Sequence, residues 1–238
     1  MKKAKKAQEE KIASFENPEK EAKETSLPTP QKLPILVAVI SALLCLAIYL
    51  LRLDRVAGLL QDDGWYILLA KALASGQGYT LINSPSAGIP PLYPPGFPAL
   101  LSIVFKLAPQ FPENLYLLKS VSVLAMLGVG IVSYWYFTHQ RELSWGLSAG
   151  IATVTVLTPP LVFLATSTVM SECVFTLLHL LAIVVIERSI RLHGKRQIYY
   201  VVLGVGLTVV TFLTRSMALS LVLAILLYLI KERQKIGL

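Results

Sequence analysis

The sequence predicts an all-α polytopic membrane protein: about six transmembrane helices, with two short interfacial helices in the first external loop. Three observations predict it. Of the 238 residues, 55% are hydrophobic and only 15% charged, against roughly 45–50% and about 25% in soluble domains. The apolar residues gather into runs, several of them close to the roughly 20 residues that a bilayer helix needs. The cations that make up the net charge of +8 sit at the edges of those runs, as the positive-inside rule requires. No basic patch is interleaved with aromatics, so the charge does not point to nucleic acid. The two cysteines, Cys45 and Cys173, each lie within an apolar run and read as small buried side chains; they say nothing about redox compartment.

Residues 1–32 hold eight lysines and six glutamates, few apolar residues, and a helix-breaking Leu27-Pro28-Thr29-Pro30. This composition predicts a disordered tail. With no small-residue cleavage site after the first apolar run, the sequence predicts an uncleaved anchor. Span one covers 33–51. The stretch 52–112 is polar and irregular. Within it, residues 64–75 read as a short amphipathic helix ended by Gly76 and Gly78, and 97–107 as an apolar segment bounded by prolines and too short to cross. Span two covers 114–137 and ends in the aromatic belt Tyr134-Trp135-Tyr136. Span three covers 145–157, stopped by Pro159-Pro160. Spans four, five and six cover 169–186, 199–213 and 217–230.

In this arrangement the tail, Arg141, the group Arg188, Arg191, Lys195 and Arg196, and the terminal Lys231, Arg233 and Lys235 share one side. That side is cytoplasmic by the rule, which places the protein in the cell membrane, multi-pass, with both termini cytoplasmic. The 52–112 stretch and the turns near 158–168 and 215 then face outward. A seven-span arrangement with 97–112 crossing puts Arg188–Arg196 outside.

The outward side collects the unusual polar groups. Asp62 and Asp63 could act as a general base, bind a cation or sugar hydroxyls, or cap the following helix. A divalent metal at the pair is chemically allowed, though oxygen ligands alone do not name it; no set of metal ligands is assigned. Glu172 lies near the outer end of span four, where an ionisable group faces a cavity or a partner, or else snorkels to the interface. Arg215 is the only charge between Arg196 and Lys231; its planar fork suits a phosphate, and an ordinary loop arginine is the alternative. Prolines 85, 90, 91, 94, 95 and 98 stiffen the external loop, where Tyr79 and Tyr93 could stack on a sugar or a lipid headgroup and a rigid linker is the alternative. His179 sits mid-span and reads as a packed residue. Gly128–Gly130 and Gly204–Gly206 read as helix-packing pairs. There is no HExxH, P-loop or GxGxxG.

The ordered series DDGWYILLAKALASGQGY, YPPGFPALLSIVFKL with PENLYLLK, MSECVFTLL and FLTRSMALSLVLAILLYL resembles the GT-C superfamily of membrane glycosyltransferases. Within it, the likeness is to the protein-O-mannosyltransferase and aminoarabinose-transferase-like families. The resemblance covers about residues 33–231 and rests on the series, since no single motif decides it. It implies transfer of a sugar from a polyprenyl-phosphate-linked donor to an acceptor hydroxyl at the outer membrane face, with the acceptor undefined. Asp62 or Asp63 occupies the place of the catalytic base in the first external loop. Glu172 matches the second acidic position, and Arg215 the basic residue that meets the lipid phosphate.

Members of that superfamily carry further spans, whereas this sequence stops at Leu238. The resemblance therefore implies an incomplete glycosyltransferase-like domain over 33–238, which a second chain could complete. The competing expectation is a truncated, non-catalytic subunit that binds a polyprenyl-phosphate lipid or depends on a partner. A small transporter is the third reading; against it stands the lack of an inverted repeat between the halves.

Overall fold

The computed structural model describes residues 32–83 and 92–236, which are helical with no strand among them. The predicted tail up to residue 31 and Pro85, Pro90 and Pro91 lie outside the described residues. The chain divides into a short unit, Met1–Leu36, and a compact unit, Val37–Leu238. The account below concerns the second, to which the body of the first helix belongs.

The helices are α1 (Lys32–Arg52), α2 (Gln61–Ala74), α3 (Gly96–Leu107), α4 (Leu115–His139), α5 (Trp145–Val156), α6 (Pro159–Ser167), α7 (Glu172–Ile190), α8 (Lys195–Thr214) and, after a 3₁₀ turn at Ser216–Ala218, α9 (Leu219–Ile236). Four of them, α1, α4, α7 and α8, are long and apolar enough to cross a membrane, and α5 with α6 makes a fifth if the bent pair counts as one span. The remaining apolar helices, α3 and the segment Ser216–Tyr228, are shorter.

Two expectations about boundaries change. Pro159 and Pro160 do not end span three at a turn; they open α6, with Thr158 as N-cap. Proline suits the first helical turn, because its fixed φ is helical and its missing N–H is one the helix leaves unpaired anyway. The result is a pair of helices bent by 53° where the sequence suggested a stop followed by an outward turn. Likewise α2 begins at Gln61, so Asp62 and Asp63 lie inside its first turn.

α4 and α7 form the centre of the unit. In their most apolar windows 44% and 39% of residues are buried, against 17% in α8, so the outer helices keep apolar faces that only lipid would cover. The core joins Tyr49 of α1, Tyr66 and Ala70 of α2, Phe97, Leu101 and Phe105 of α3, Leu118, Met126 and Val129 of α4, and Cys173 of α7. Both cysteines are free and buried. Tyr49 hides its hydroxyl by donating to the Val156 carbonyl at 2.6 Å, which satisfies the polar end of a fully buried ring.

Small residues set the closest approaches. A Cβ on Gly204 would sit 2.6 Å from Ile186 Cγ1, and one on Gly96 would sit 2.7 Å from the Leu213 carbonyl oxygen. The first contact seats α8 on α7. The second places the start of α3 beside the end of α8, next to Arg215.

Polar groups collect at the two ends of α7. At its C-terminal end Glu187 pairs with Arg191 at 2.8 Å and with Arg141 at 3.2 Å, and accepts from the Tyr136 hydroxyl at 2.8 Å. At its N-terminal end Glu172 pairs with Arg215. Fifteen residues separate the two glutamates, a span of about 22 Å at 1.5 Å per residue.

Candidate functional site

The site is built where α2, the loop after it, the start of α7 and the end of α8 meet. α8 stops at Thr214 because Arg215 is extended (φ −150°, ψ 133°) and the chain then turns through 216–218. That turn brings the guanidinium to Glu172: Nη1 lies 2.6 Å from Oε1 and donates to Ser171 Oγ at 3.2 Å. Both side chains are about a quarter exposed, Arg215 at 23% and Glu172 at 25%. Glu172 sits in the first turn of α7, where a carboxylate suits the helix dipole. Its Oε2 is buried with no hydrogen-bond partner among the described residues.

From Ser171, which is fully buried, the chain of contacts runs to Tyr66, whose hydroxyl shares a 3.1 Å hydrogen bond with Ser171 Oγ. The Tyr66 ring meets Phe97 and Tyr93 edge to face, with centroids 5.1 and 5.2 Å apart. Burial raises the Tyr66 hydroxyl above the usual phenol range. Tyr93 donates its hydroxyl to Asp62 Oδ1 at 2.8 Å. Burial first, and then the Asp62 carboxylate it bonds, push its pKa up to about 12, so it acts as a neutral donor. Tyr79 donates to the Tyr93 carbonyl at 2.6 Å, which ties the two ends of the external loop together; burial pushes its own hydroxyl up to about 12.

Asp62, Tyr79, Tyr93, Glu172 and Arg215, separated by up to 153 positions in the chain, thus belong to one connected cluster. Asp63 does not join it. Fully buried, it accepts from the Gly58 N–H at 2.6 Å; Gly58 has φ +78°, a conformation that favours glycine. Asp63 therefore organises the loop before α2, whose N-cap, Leu60, makes no side-chain cap bond. Burial raises the Asp63 carboxyl above its ordinary value, against the lowering effect of the Gly58 and Leu60 N–H groups. The two neighbouring carboxylates face different partners, and no group of three or more His, Cys, Asp or Glu among the described residues is placed to hold a metal.

Sequence reasoning missed three residues of this region. Tyr66 and Ser171 bridge Asp62 to Arg215, and neither stands out from its apolar neighbours in sequence. The third is Lys119, fully buried in the second turn of α4. Its ammonium donates to Asp54 Oδ1 at 2.5 Å and to the carbonyls of Asp54 and Thr166, each at 3.0 Å. Ser167 Oγ donates to Asp54 Oδ2 at 2.6 Å. This clamp fixes the segment leading to Gly58 and Asp63 against α4 and α6. Burial acts to raise the Asp54 carboxyl, but the hydrogen bonds from Lys119, Ser167 and Val56 outweigh it and hold it below the usual range. A signal was present: a lysine near the start of a 25-residue apolar helix is costly unless paired.

His179 packs beside Phe175, with centroids 5.3 Å apart, away from the cluster. The closed state of the site is chemically specific. Arg215 is neutralised by Glu172, Asp62 is occupied by Tyr93, and each partner would have to yield or share when a ligand arrives. Set against known proteins, the chain matches no family model, no curated protein and no solved structure.

Proposed function

We propose that this chain is a membrane glycosyltransferase of GT-C type, moving a sugar from a polyprenyl-phosphate-linked donor to an acceptor hydroxyl at the outer face of the cell membrane. The observation that carries the reading is the cluster itself. One half-buried carboxylate, Asp62, and one guanidinium, Arg215, are joined through Tyr93, Tyr66 and Ser171. Six crossings complete the proposal: α1, α4, the bent α5–α6 pair, α7, α8 and α9, with α2 and α3 lying in the interface. Both termini are then cytoplasmic, and the cluster of Arg141, Arg188, Arg191, Lys195 and Arg196 lies on the cytoplasmic side.

In the reaction, Asp62 takes the proton of the acceptor hydroxyl, and the oxygen attacks the anomeric carbon as the bond to the phosphate oxygen breaks. The pair of electrons leaves with the polyprenyl phosphate, where Arg215 meets the growing negative charge. Glu172 has a spare oxygen, Oε2, suited to a hydroxyl of sugar or acceptor. Tyr79 and Tyr93 close the site against water. In this scheme Asp63 is a positioning residue for α2.

The test uses membranes containing the chain, incubated with radiolabelled polyprenyl-phosphate mannose or polyprenyl-phosphate aminoarabinose. The outcome expected is label in a product other than the donor, lost in Asp62→Asn and in Arg215→Ala. Transfer that persists in both variants refutes the assignment.

The Glu172–Arg215 pair favours a second reading. A guanidinium already neutralised at 2.6 Å suits a lipid-phosphate-binding subunit that works with a partner chain. Phosphate-dependent lipid binding without transfer by any donor selects it.

A further inference from the structure

At the other end of α7 lies an apolar crevice of about 390 Å³, lined chiefly by Ile131, Val132 and Trp135 of α4, Leu181, Val184 and Val185 of α7, and closed by Arg188 and Tyr200. Arg188 stands between two aromatic faces, its guanidinium carbon 5.4 Å from the Trp135 ring centre and 5.6 Å from that of Tyr200, within cation–π range. Its neighbour Glu187 is already shared by Arg141 and Arg191, and Arg188 pairs with no carboxylate among the described residues. The turns at this end carry Arg141, Arg188, Arg191, Lys195 and Arg196 against Glu142 and Glu187, a clear positive excess.

We propose that this crevice binds an anionic glycerophospholipid, with one acyl chain along the apolar wall and the headgroup phosphate on Arg188. Length and charge both fit. From Leu181 to Arg188 the wall runs seven residues, about 10 Å, which is enough for the upper half of an acyl chain. The mouth offers an unpaired, aromatic-braced cation where a phosphate would lie. The surrounding cations select an anionic headgroup over a zwitterionic one, because basic pockets between membrane helices draw anionic lipid. The two aromatic planes hold the guanidinium in place, so little side-chain freedom is lost on binding. This site is separate from the Glu172–Arg215 cluster and does not depend on the activity proposed there.

Trp135 lines the crevice and reports on it directly. In full-length protein carrying Trp65→Phe and Trp145→Phe, Trp135 is the sole indole. The protein is placed in phosphatidylcholine vesicles doped with either brominated phosphatidylglycerol or brominated phosphatidylcholine, and Trp135 quenching is recorded. The brominated anionic lipid is expected to quench at about fivefold lower mole fraction than the zwitterionic one, the worth of one cation at a lipid surface. Arg188→Gln brings the two lipids to parity, and Arg188→Lys keeps the preference. Val185→Phe, which fills the crevice and leaves Arg188 intact, weakens quenching by both. Equal quenching by the two lipids in the parent protein overturns the proposal, as does an undiminished preference in Arg188→Gln. Displacement of the brominated lipid by inorganic phosphate alone also overturns it, since that would mark a simple anion site.

Discussion

Replacing Lys119 by methionine tests the clamp that sets the entrance to the candidate site. The ammonium is fully buried and donates to Asp54 Oδ1, the Asp54 carbonyl and the Thr166 carbonyl. Methionine keeps most of the volume and removes all three bonds. Two carbonyls lose a donor, at about 1 kcal/mol each. Breaking a buried ion pair costs about 3–5 kcal/mol when the orphaned charge stays dry. The Asp54 side chain is 36% exposed, however, and keeps the hydrogen bonds from Ser167 and Val56, so its share falls toward the roughly 0–1 kcal/mol of an exposed pair. The sum is about 2–3 kcal/mol. Unfolding of the purified protein in mixed micelles, followed by far-ultraviolet circular dichroism, measures it. Hydrogen exchange adds a local readout, because the Gly58 and Val56 amides bond to Asp63 and Asp54 and should lose protection first. Asp54→Asn, which keeps an acceptor for Lys119, should cost less, and the double variant should show coupling between the two positions. Wild-type stability together with unchanged protection of residues 53–60 in Lys119→Met would refute the reasoning.

Four other outcomes are expected. Asp63→Asn should fold normally, since an amide oxygen can accept from Gly58, whereas Asp63→Ala should lose about 1–2 kcal/mol by leaving that N–H unpaired; chemical unfolding compares the two. Acid should act on the two buried-end carboxyls in opposite senses. The Asp54 pKa is lowered from 3.8, so its stabilisation is complete above that value and is lost as pH falls through the lowered one. The Asp63 pKa is raised from 3.8, so its contribution is complete below that value and is lost as pH rises through the raised one. Asp63→Asn should therefore flatten the neutral-side slope of a stability–pH curve, and Asp54→Asn the acid-side slope. Gly204→Ala should cost about 1–3 kcal/mol by forcing Ile186 away, while Gly206→Ala, which meets open space, should be neutral or gain about 0.5–1 kcal/mol; thermal unfolding in detergent separates them. Tyr93→Phe should free Asp62 of its 2.8 Å donor and loosen the external loop, read as faster hydrogen exchange over 77–83 with helices α4 and α7 unchanged.

Length and composition were enough to read the helices, because an apolar run either reaches about 20 residues or does not. The long helices α1, α4, α7 and α8 fall where the runs lie. The α5–α6 pair was misread at Pro159-Pro160, since proline ends a helix and begins one equally well; the choice depends on what packs beyond it, here Val162 and Ala165 in the core. In the site, charge made Asp62, Asp63, Glu172 and Arg215 conspicuous, but the sequence could not tell the two aspartates apart. They are distinguished by tertiary neighbours, Gly58 for one and Tyr93 for the other, and the 31 residues between Asp62 and Tyr93 include a loop whose path sequence does not give. Tyr66 and Ser171 were invisible because a hydroxyl among apolar residues acquires meaning only from its partner. Lys119 was legible in principle, as a charge inside an apolar run, yet its ligands at Asp54 and Thr166 come from two distant segments.

The central claim is that Arg215 receives a lipid phosphate, and binding tests it without knowledge of sugar or acceptor. Native mass spectrometry of the full chain, released from micelles containing either a polyprenyl phosphate or the corresponding polyprenol, reads it directly. The account predicts retention of the phosphate over the alcohol, with a loss of about tenfold or more in Arg215→Ala, since a hydrogen bond to a charged group is worth roughly 1.5–3 kcal/mol. Equal retention of the two lipids, or phosphate retention unaltered in Arg215→Ala, would contradict it.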